Sequence, residues 1–379
     1  MTQAGSTRAE GAALEAGGIL TIDLAALVAN YRDLASRAAP ARCAAVVKAD
    51  AYGLGIEPAV GALARADCDT FFVALLDEAL KLRTVLPEAT IYVLNGLHPG
   101  TASAFRDIDA EPVLGSLAEI EEWDAFVRAA GEPLPAAIHI DTGMRRHGLT
   151  PAEAEALASR LGTLVFAPSL VMSHFVCADE PGHPMNARQI KDFRVLAARF
   201  PGITASLSNS AALLGLPDAR FDLVRPGIAL YAGRALIKGD NPMRPVVRLD
   251  LRVIQVREAS SGETVGYSAT QTLKRDSRIA VVSAGYADGI PRASGSSDTK
   301  KGAEAIVAGR RCPILGRVSM DLISIDVTEL PPGAVRRGDF ATLLGDGIGI
   351  DDLAEAGGTV GYEVLTRLGR RYHRVYKGG

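Results

Sequence analysis

The 379-residue chain has little cysteine, no excess of either charge and no long apolar run. Its four cysteines, Cys43, Cys68, Cys177 and Cys312, form no CxxC pair and do not cluster with the six histidines. A disulfide framework and a zinc site are therefore unsupported, no metal is expected, and a reducing cytoplasmic location fits. Lys and Arg number 41 against 44 Asp and Glu, a formal charge of -3 with no long block of one sign. The electrostatic footprint that nucleic acid or an anionic membrane surface requires is missing. No window approaches the roughly 18 apolar residues of a membrane span. The first 18 residues, MTQAGSTRAEGAALEAGG, lack the apolar stretch of a secretory signal and read as a flexible tail.

What is present is an alternation of strand-like and helix-like segments. Residues are 48% hydrophobic and 22% charged, as in a folded globular protein, and the length suits two domains. Eight β-rich runs occur at 43–49, 71–76, 91–96, 111–115, 136–143, 168–175, 205–210 and 222–231. Several are continuously apolar, as expected of parallel strands covered on both faces. Between them, segments such as 117–130 and 151–161 carry the spacing of amphipathic helices, Pro151 standing where a helix can open. The expected fold class is α/β: a (β/α)8 TIM-type barrel over residues 19–240, followed by a mostly β domain over 241–379. Residues 237–245 read as the linker, 294–302 as an exposed loop, and a strand around 18–23 as a link to the second domain.

In such barrels the chemistry sits at the carboxyl ends of the strands. Here those ends carry Lys48, Asn95, Arg146, His174, Asn209 with Ser210, and Arg225 with Gly227. A single cation at a strand end is usually a solvated rim charge; six strand ends carrying polar residues on one face are harder to read that way. Lys48 follows the apolar run AAVV, where desolvation favours a neutral amine able to condense with an aldehyde. Ser210 opens a helix whose N–H groups attract an anion, and Gly227 allows close backbone approach to a phosphate. A reactive lysine and a phosphate cradle suit the two ends of pyridoxal 5'-phosphate (PLP), although spacing alone leaves solvated rim residues as the alternative.

With these residues in view, the chain resembles the alanine racemase family. AVVKADAYGLG (45–55) is the most specific stretch. HIDTGMRRHG (139–148), MSHFVCADE (172–180), SNSAA (208–212), VRPGIALY (224–231), VGYSATQ (265–271), GYADGIPR (285–292), GRVSMD (316–321) and GTVGYEVL (358–365) follow in family order. The resemblance implies racemisation of L- and D-alanine with PLP as cofactor and a homodimer as the working unit. Lys48 resembles the lysine bonded to the cofactor and one of two acid/base groups; Tyr267 resembles the other. Tyr267 and Met320 are implied to reach the site across the dimer interface. Inverting a carbon needs a proton taken from one face and another returned to the opposite face, which two bases accomplish.

The resemblance further implies that Arg225 faces the pyridine nitrogen, that His174 orients it, and that Asn209 supports this neighbourhood. Arg146 is implied to contact the cofactor's phenolic oxygen and the substrate carboxylate, through its rigid fork of donors. Tyr52, Ser210, Gly227, Ile228 and Tyr362 correspond to the phosphate-binding set. Met320 and Asp321 correspond to a substrate-side pair, and Asp179, Tyr286 and Arg292 to the entryway. One position departs: many members carry a carbamylated lysine where this chain has His139, so a bound anion or a neutral hydrogen bond from His139 is expected to steady Arg146 instead. Other readings of the same residues are a racemase accepting further small amino acids such as serine, a PLP decarboxylase of basic amino acids, and a non-catalytic PLP carrier. The decarboxylase would need an acidic partner for the ring nitrogen and a glycine-rich phosphate loop, and Arg225 with SNSAA supplies neither.

Overall fold

A computed structural model describes residues 14–379. Part of the expected tail, residues 1–13, lies outside the described residues. The chain divides into two compact units: Leu27–Arg244, and the residues up to Ala26 together with Pro245–Gly379. The first strand, β1 (Gly18–Asp23), pairs antiparallel with the long strand at Val247–Ala259, Gly18 facing Leu251 and Ile22 facing Val247. The strand expected around 18–23 is present and joins the β unit, so the barrel unit runs from Leu27 to Arg244 rather than from 19 to 240.

In the unit Leu27–Arg244, β2 (Arg42–Cys43) and β3 (Ala45–Val46) form one interrupted strand. They are followed by β4 (Thr70–Val73), β5 (Thr90–Val93), β6 (Glu111–Leu114), β7 (Pro135–His139), β8 (Ala167–Met172), β9 (Thr204–Ser206) and β10 (Leu223–Val224). From β3 to β9 each strand pairs in parallel with the next in chain order. The eighth strand closes the ring. On one side Arg42, Ala44 and Val46 N–H groups donate to the carbonyls of Asp222, Val224 and Pro226; on the other Asp222 and Arg225 donate to Ala205 and Ser208. Closure leaves no strand edge open, and Phe71, Phe72, Ile91, Val113, Ile138 and Leu170 are fully buried.

Local signals define the helices around the barrel. Helix Leu117–Ala130 starts where the Ser116 hydroxyl accepts from Glu119 N–H, buries Ile120, Trp123 and Val127, and stops at left-handed Gly131. Helix Pro151–Ser159 has a Thr150–Glu153 capping box with proline at its first position.

The second unit is mostly antiparallel. Its further strands are β11 (Val247–Ala259), β12 (Thr264–Val265), β13 (Gln271–Thr272), β14 (Ser277–Ser283), β15 (Glu304–Val307), β16 (Arg310–Leu315), β17 (Leu322–Asp326), β18 (Phe340–Leu344) and β19 (His373–Lys377). The main sheet runs β14-β17-β16-β15-β18-β11-β1-β19, and a bulge between Val253 and Gln255 lets β11 pair with β14 as well as with β1 and β18. The 294–302 loop is less exposed than its composition suggests: Ser294 is buried and the Lys300 ammonium donates to the Ala293 carbonyl at 2.6 Å.

Candidate active site

Strand β3 delivers Lys48 to the carboxyl end of the barrel, half-buried. Burial, and then the positive Arg146, hold its amine below the usual lysine range, with Glu78 opposing. The chain then turns in an unusual way. Ala49, Asp50, Ala51 and Tyr52 are all left-handed, with φ between 53° and 57°. Each such residue costs roughly 1 kcal/mol in an L-amino-acid chain, and consecutive ones persist only where surroundings enforce them. Here Ala51 N–H donates to the Val47 carbonyl and Gly55 N–H to that of Asp50, while the Asp50 carboxylate accepts from Ile56 N–H at 2.8 Å. Glu78 accepts from Asp50 N–H at 3.3 Å and from Ala74 N–H at 2.8 Å.

The turn folds Tyr52 inward, stacked on Tyr231 with ring centroids 4.6 Å apart. The Tyr231 hydroxyl donates to the Val46 carbonyl at 3.1 Å. A Cβ placed on Gly227 would stand 2.2 Å from the Tyr52 hydroxyl, so any larger residue there would have to displace Tyr52. Next to it the buried Ser210 hydroxyl accepts from Gly227 N–H at 2.8 Å and Ala229 N–H at 3.3 Å, and Ile228 opens the following turn. Asn209 caps the helix Ser210–Gly215 by accepting from Ala212 N–H at 2.9 Å.

Arg225 is buried and no carboxylate pairs with it among the described residues. It donates to the Ser173 carbonyl at 2.7 Å and to Ser206 Oγ, whose hydroxyl in turn donates to the Leu223 carbonyl at 2.6 Å. Its guanidinium lies 5.7 Å from the Phe72 ring centroid. Burial lowers Arg225 to about 9, and burial followed by Arg225, Arg146 and Lys48 lowers His174 to about 3. His174 is therefore a neutral imidazole among cations. The side chains that hold Arg225 are Ser206 and the Ser173 backbone, neither singled out by the sequence; Asn209 serves the helix instead.

Arg146 is exposed on the rim. His139 is buried, edge-on to His147 at 5.2 Å, and is kept well below the usual imidazole range by burial, then by His147, Arg225, His174 and Arg146. It brings no negative charge to Arg146. A hidden support lies behind these strand ends: the Gln189 amide, fully buried, donates to Thr142 Oγ1 at 3.1 Å and to the His174 carbonyl at 2.9 Å, and accepts from Val176 N–H at 2.9 Å. Thr142 and Ser173 share a hydrogen bond of 2.8 Å.

The barrel unit thus gathers Lys48, Tyr52, Arg146, His174, Ser210, Arg225 and Gly227, with exposed Asp179 in the loop beyond β8. The β unit carries the other expected residues. Tyr267 is 64% exposed in a turn entered through Gly266, with Arg317 donating to Ser268 Oγ at 2.9 Å. Met320 and Tyr286 are 52% and 40% exposed, Asp321 is paired with Arg371, Arg292 opens a short turn, and Tyr362 lies on the helix Gly361–Arg367. For the barrel set, a cradle that a Cβ on Gly227 would crowd, a partly dry amine and a buried guanidinium without an acid together fit a small anionic aldehyde.

A family model described as the N-terminal domain of alanine racemase matches residues 22–235, and one described as its C-terminal domain matches 246–376. An alanine racemase of Methylobacterium sp. (strain 4-46) is 57% identical over 360 residues, 95% of this chain and 98% of the relative. One from Rhizobium meliloti (strain 1021) is 47% identical over 373 residues, covering 97% and 98%. Among solved structures, the alanine racemase of Bartonella henselae with covalently bound pyridoxal phosphate superposes with a TM-score of 0.89 at 37% identity, covering 95% of this chain and 99% of that one.

Proposed function

Because this chain belongs to the alanine racemase family, we propose that it interconverts L- and D-alanine with Lys48 and Tyr267 serving opposite faces of the substrate carbon and PLP held in the barrel mouth. The observation that carries this reading is the partly dry Lys48 amine beside a cradle formed by Ser210, Gly227 and Tyr52. Bound there, PLP supplies an electron sink that makes the substrate's α-proton acidic.

The protein's residues do the rest. Lys48, its ammonium disfavoured by burial and by Arg146, would hold the cofactor through its amine and move a proton on one face. Ser210, Gly227, Ile228, Tyr52 and Tyr362 hold the phosphate, and Arg225 and His174 present a cationic and a neutral group to the ring. Arg146 orients the substrate carboxylate. Tyr267 moves the second proton. Its exposure, with that of Met320 and Tyr286, supports a face covered by a second copy of the chain, so the working unit is a homodimer in which Tyr267 and Met320 serve the partner's barrel. Asp321 lines the substrate side, and Asp179, Tyr286 and Arg292 the entryway. No described helix is long and apolar enough to cross a membrane. Cytoplasmic work completes the proposal.

Lys48→Ala is expected to lose the absorbance of lysine-bound PLP together with activity; a variant that kept that absorbance would remove Lys48 from its role. Tyr267→Phe is expected to slow proton exchange on one face by about 10² to 10⁴-fold. Deuterium exchange from solvent, followed separately from L- and D-alanine, measures it, and equal rates in both directions at the parent level would refute the two-base assignment.

A further inference from the structure

Arg371 lies in the C-terminal segment of the β unit and plays no part in the reading above. Its guanidinium forks onto the Asp288 carboxylate, Nε to Oδ1 at 2.6 Å and Nη2 to Oδ2 at 2.7 Å, while Nη1 reaches Asp321 Oδ1 at 2.8 Å. Asp288 is 4% exposed and also accepts from Gly285 N–H at 2.9 Å. Two backbone bonds join the same loops: Tyr286 N–H to the Ser319 carbonyl at 3.0 Å and Ala287 N–H to that of Met320 at 3.1 Å. A Cβ on Gly285 would stand 2.2 Å from the Met320 carbonyl oxygen, so the two loops lie in direct backbone contact.

We propose that Arg371 is a positioning residue for racemisation, clamping the Met320–Asp321 loop onto the Tyr286 loop and offsetting part of the Asp321 charge where the substrate's carboxylate arrives. The inference rests on the reading of Met320 and Asp321 as substrate-side. The chemistry follows from charge. Alanine enters with its own carboxylate, and a bare aspartate on its path repels it; a guanidinium bridging the two aspartates offsets part of that repulsion while fixing the loop in register. Arg suits the task because one planar fork serves both acids, which a lysine ammonium cannot reproduce.

The test is steady-state kinetics on the PLP-loaded enzyme. Arg371→Ala is expected to raise KM for L- and D-alanine about tenfold, the scale of coupling between contacting charges, with a much smaller change in kcat. Because the defect is repulsion, it shrinks when KCl rises from about 0.1 M to about 1 M, which shortens the screening length from about 10 to 3 Å. Arg371→Ala/Asp321→Asn is expected to show a smaller KM defect and a weaker salt dependence than Arg371→Ala, and Arg371→Lys, which keeps the charge without the fork, only a partial KM defect. Should Arg371→Ala fail to fold, Arg371→Gln, which removes the charge but keeps a hydrogen-bonding amide, reads the same coupling with and without Asp321→Asn. A parental KM in Arg371→Ala, or a defect insensitive to salt and to Asp321→Asn, overturns the inference. Met320→Ala separates the two levels: parental kinetics there would take the loop off the substrate side, whereas impaired Met320→Ala beside parental Arg371→Ala would sink the role of Arg371 alone.

Discussion

At Gly227 a single methyl group would meet the Tyr52 hydroxyl well inside contact distance, and the tyrosine cannot easily retreat, since its ring is stacked on Tyr231 and its backbone is fixed in the left-handed turn. Gly227→Ala is therefore expected to push Tyr52 out of the cradle, costing about 1 to 3 kcal/mol of stability and weakening PLP binding. Equilibrium dialysis of PLP against the apoprotein and denaturant unfolding measure the two losses, and parental values in both would contradict this account. Ser206 is a comparable case. It was invisible in the sequence because a serine in a strand carries no signature, yet its hydroxyl holds a buried guanidinium. Ser206→Ala leaves an Arg225 donor unpaired, with an expected cost of about 1 to 3 kcal/mol.

At the scale of elements, the barrel strands were legible because parallel strands buried on both faces read as apolar runs, and all eight runs contain a strand of the ring. The helices Leu117–Ala130 and Pro151–Ser159 announced themselves through amphipathic spacing and Pro151, while their caps at Ser116 and Thr150 emerged only in the structure. The left-handed turn after Lys48 was not legible: propensity describes residues singly, whereas four successive strained residues are imposed by bonds to Val47, Glu78 and Ile56 that tertiary packing brings together. Gln189 was missed for a related reason. One buried glutamine on an amphipathic helix resembles a face polar residue, but it ties the loops after β7 and β8 to the helix Pro184–Ala197. Gln189→Leu removes all three bonds and is expected to destabilise the protein by about 2 to 4 kcal/mol, with lower affinity for PLP because the His174 loop loosens. Chemical denaturation tests the first effect and PLP titration the second.

At the scale of the whole molecule, the sign of the pH response follows from buried groups in the barrel. His139 and His174 titrate below their free value of 6.5, His174 near 3, so the unfolded chain takes up protons first as pH falls below 6.5. Each then lowers stability by about 1.4 kcal/mol per pH unit. Glu111 runs the other way: burial pushes it from 4.5 up to about 7, so it destabilises as pH rises through that interval. Between pH 4.5 and 6.5 the two histidines outweigh the one glutamate, and Tm is expected to fall as acid is added. Glu111→Gln should raise Tm near neutrality and steepen the acid loss, whereas His174→Gln should flatten it; calorimetry from pH 4.5 to 7.5 reads all three slopes.

The pairing of β1 with β11 and β19 also sets an order of events during synthesis. The barrel is one unbroken stretch of chain, complete once Arg244 has left the ribosome. Strand β1 precedes the barrel in the chain, its antiparallel neighbour β11 (Val247–Ala259) follows the barrel directly, and its parallel neighbour β19 (His373–Lys377) comes after every other strand of the sheet. One edge of β1 therefore stays unpaired until the barrel and β11 have been translated and the other until β19 has, and that second interval is when β1 is most open to pairing with another nascent chain.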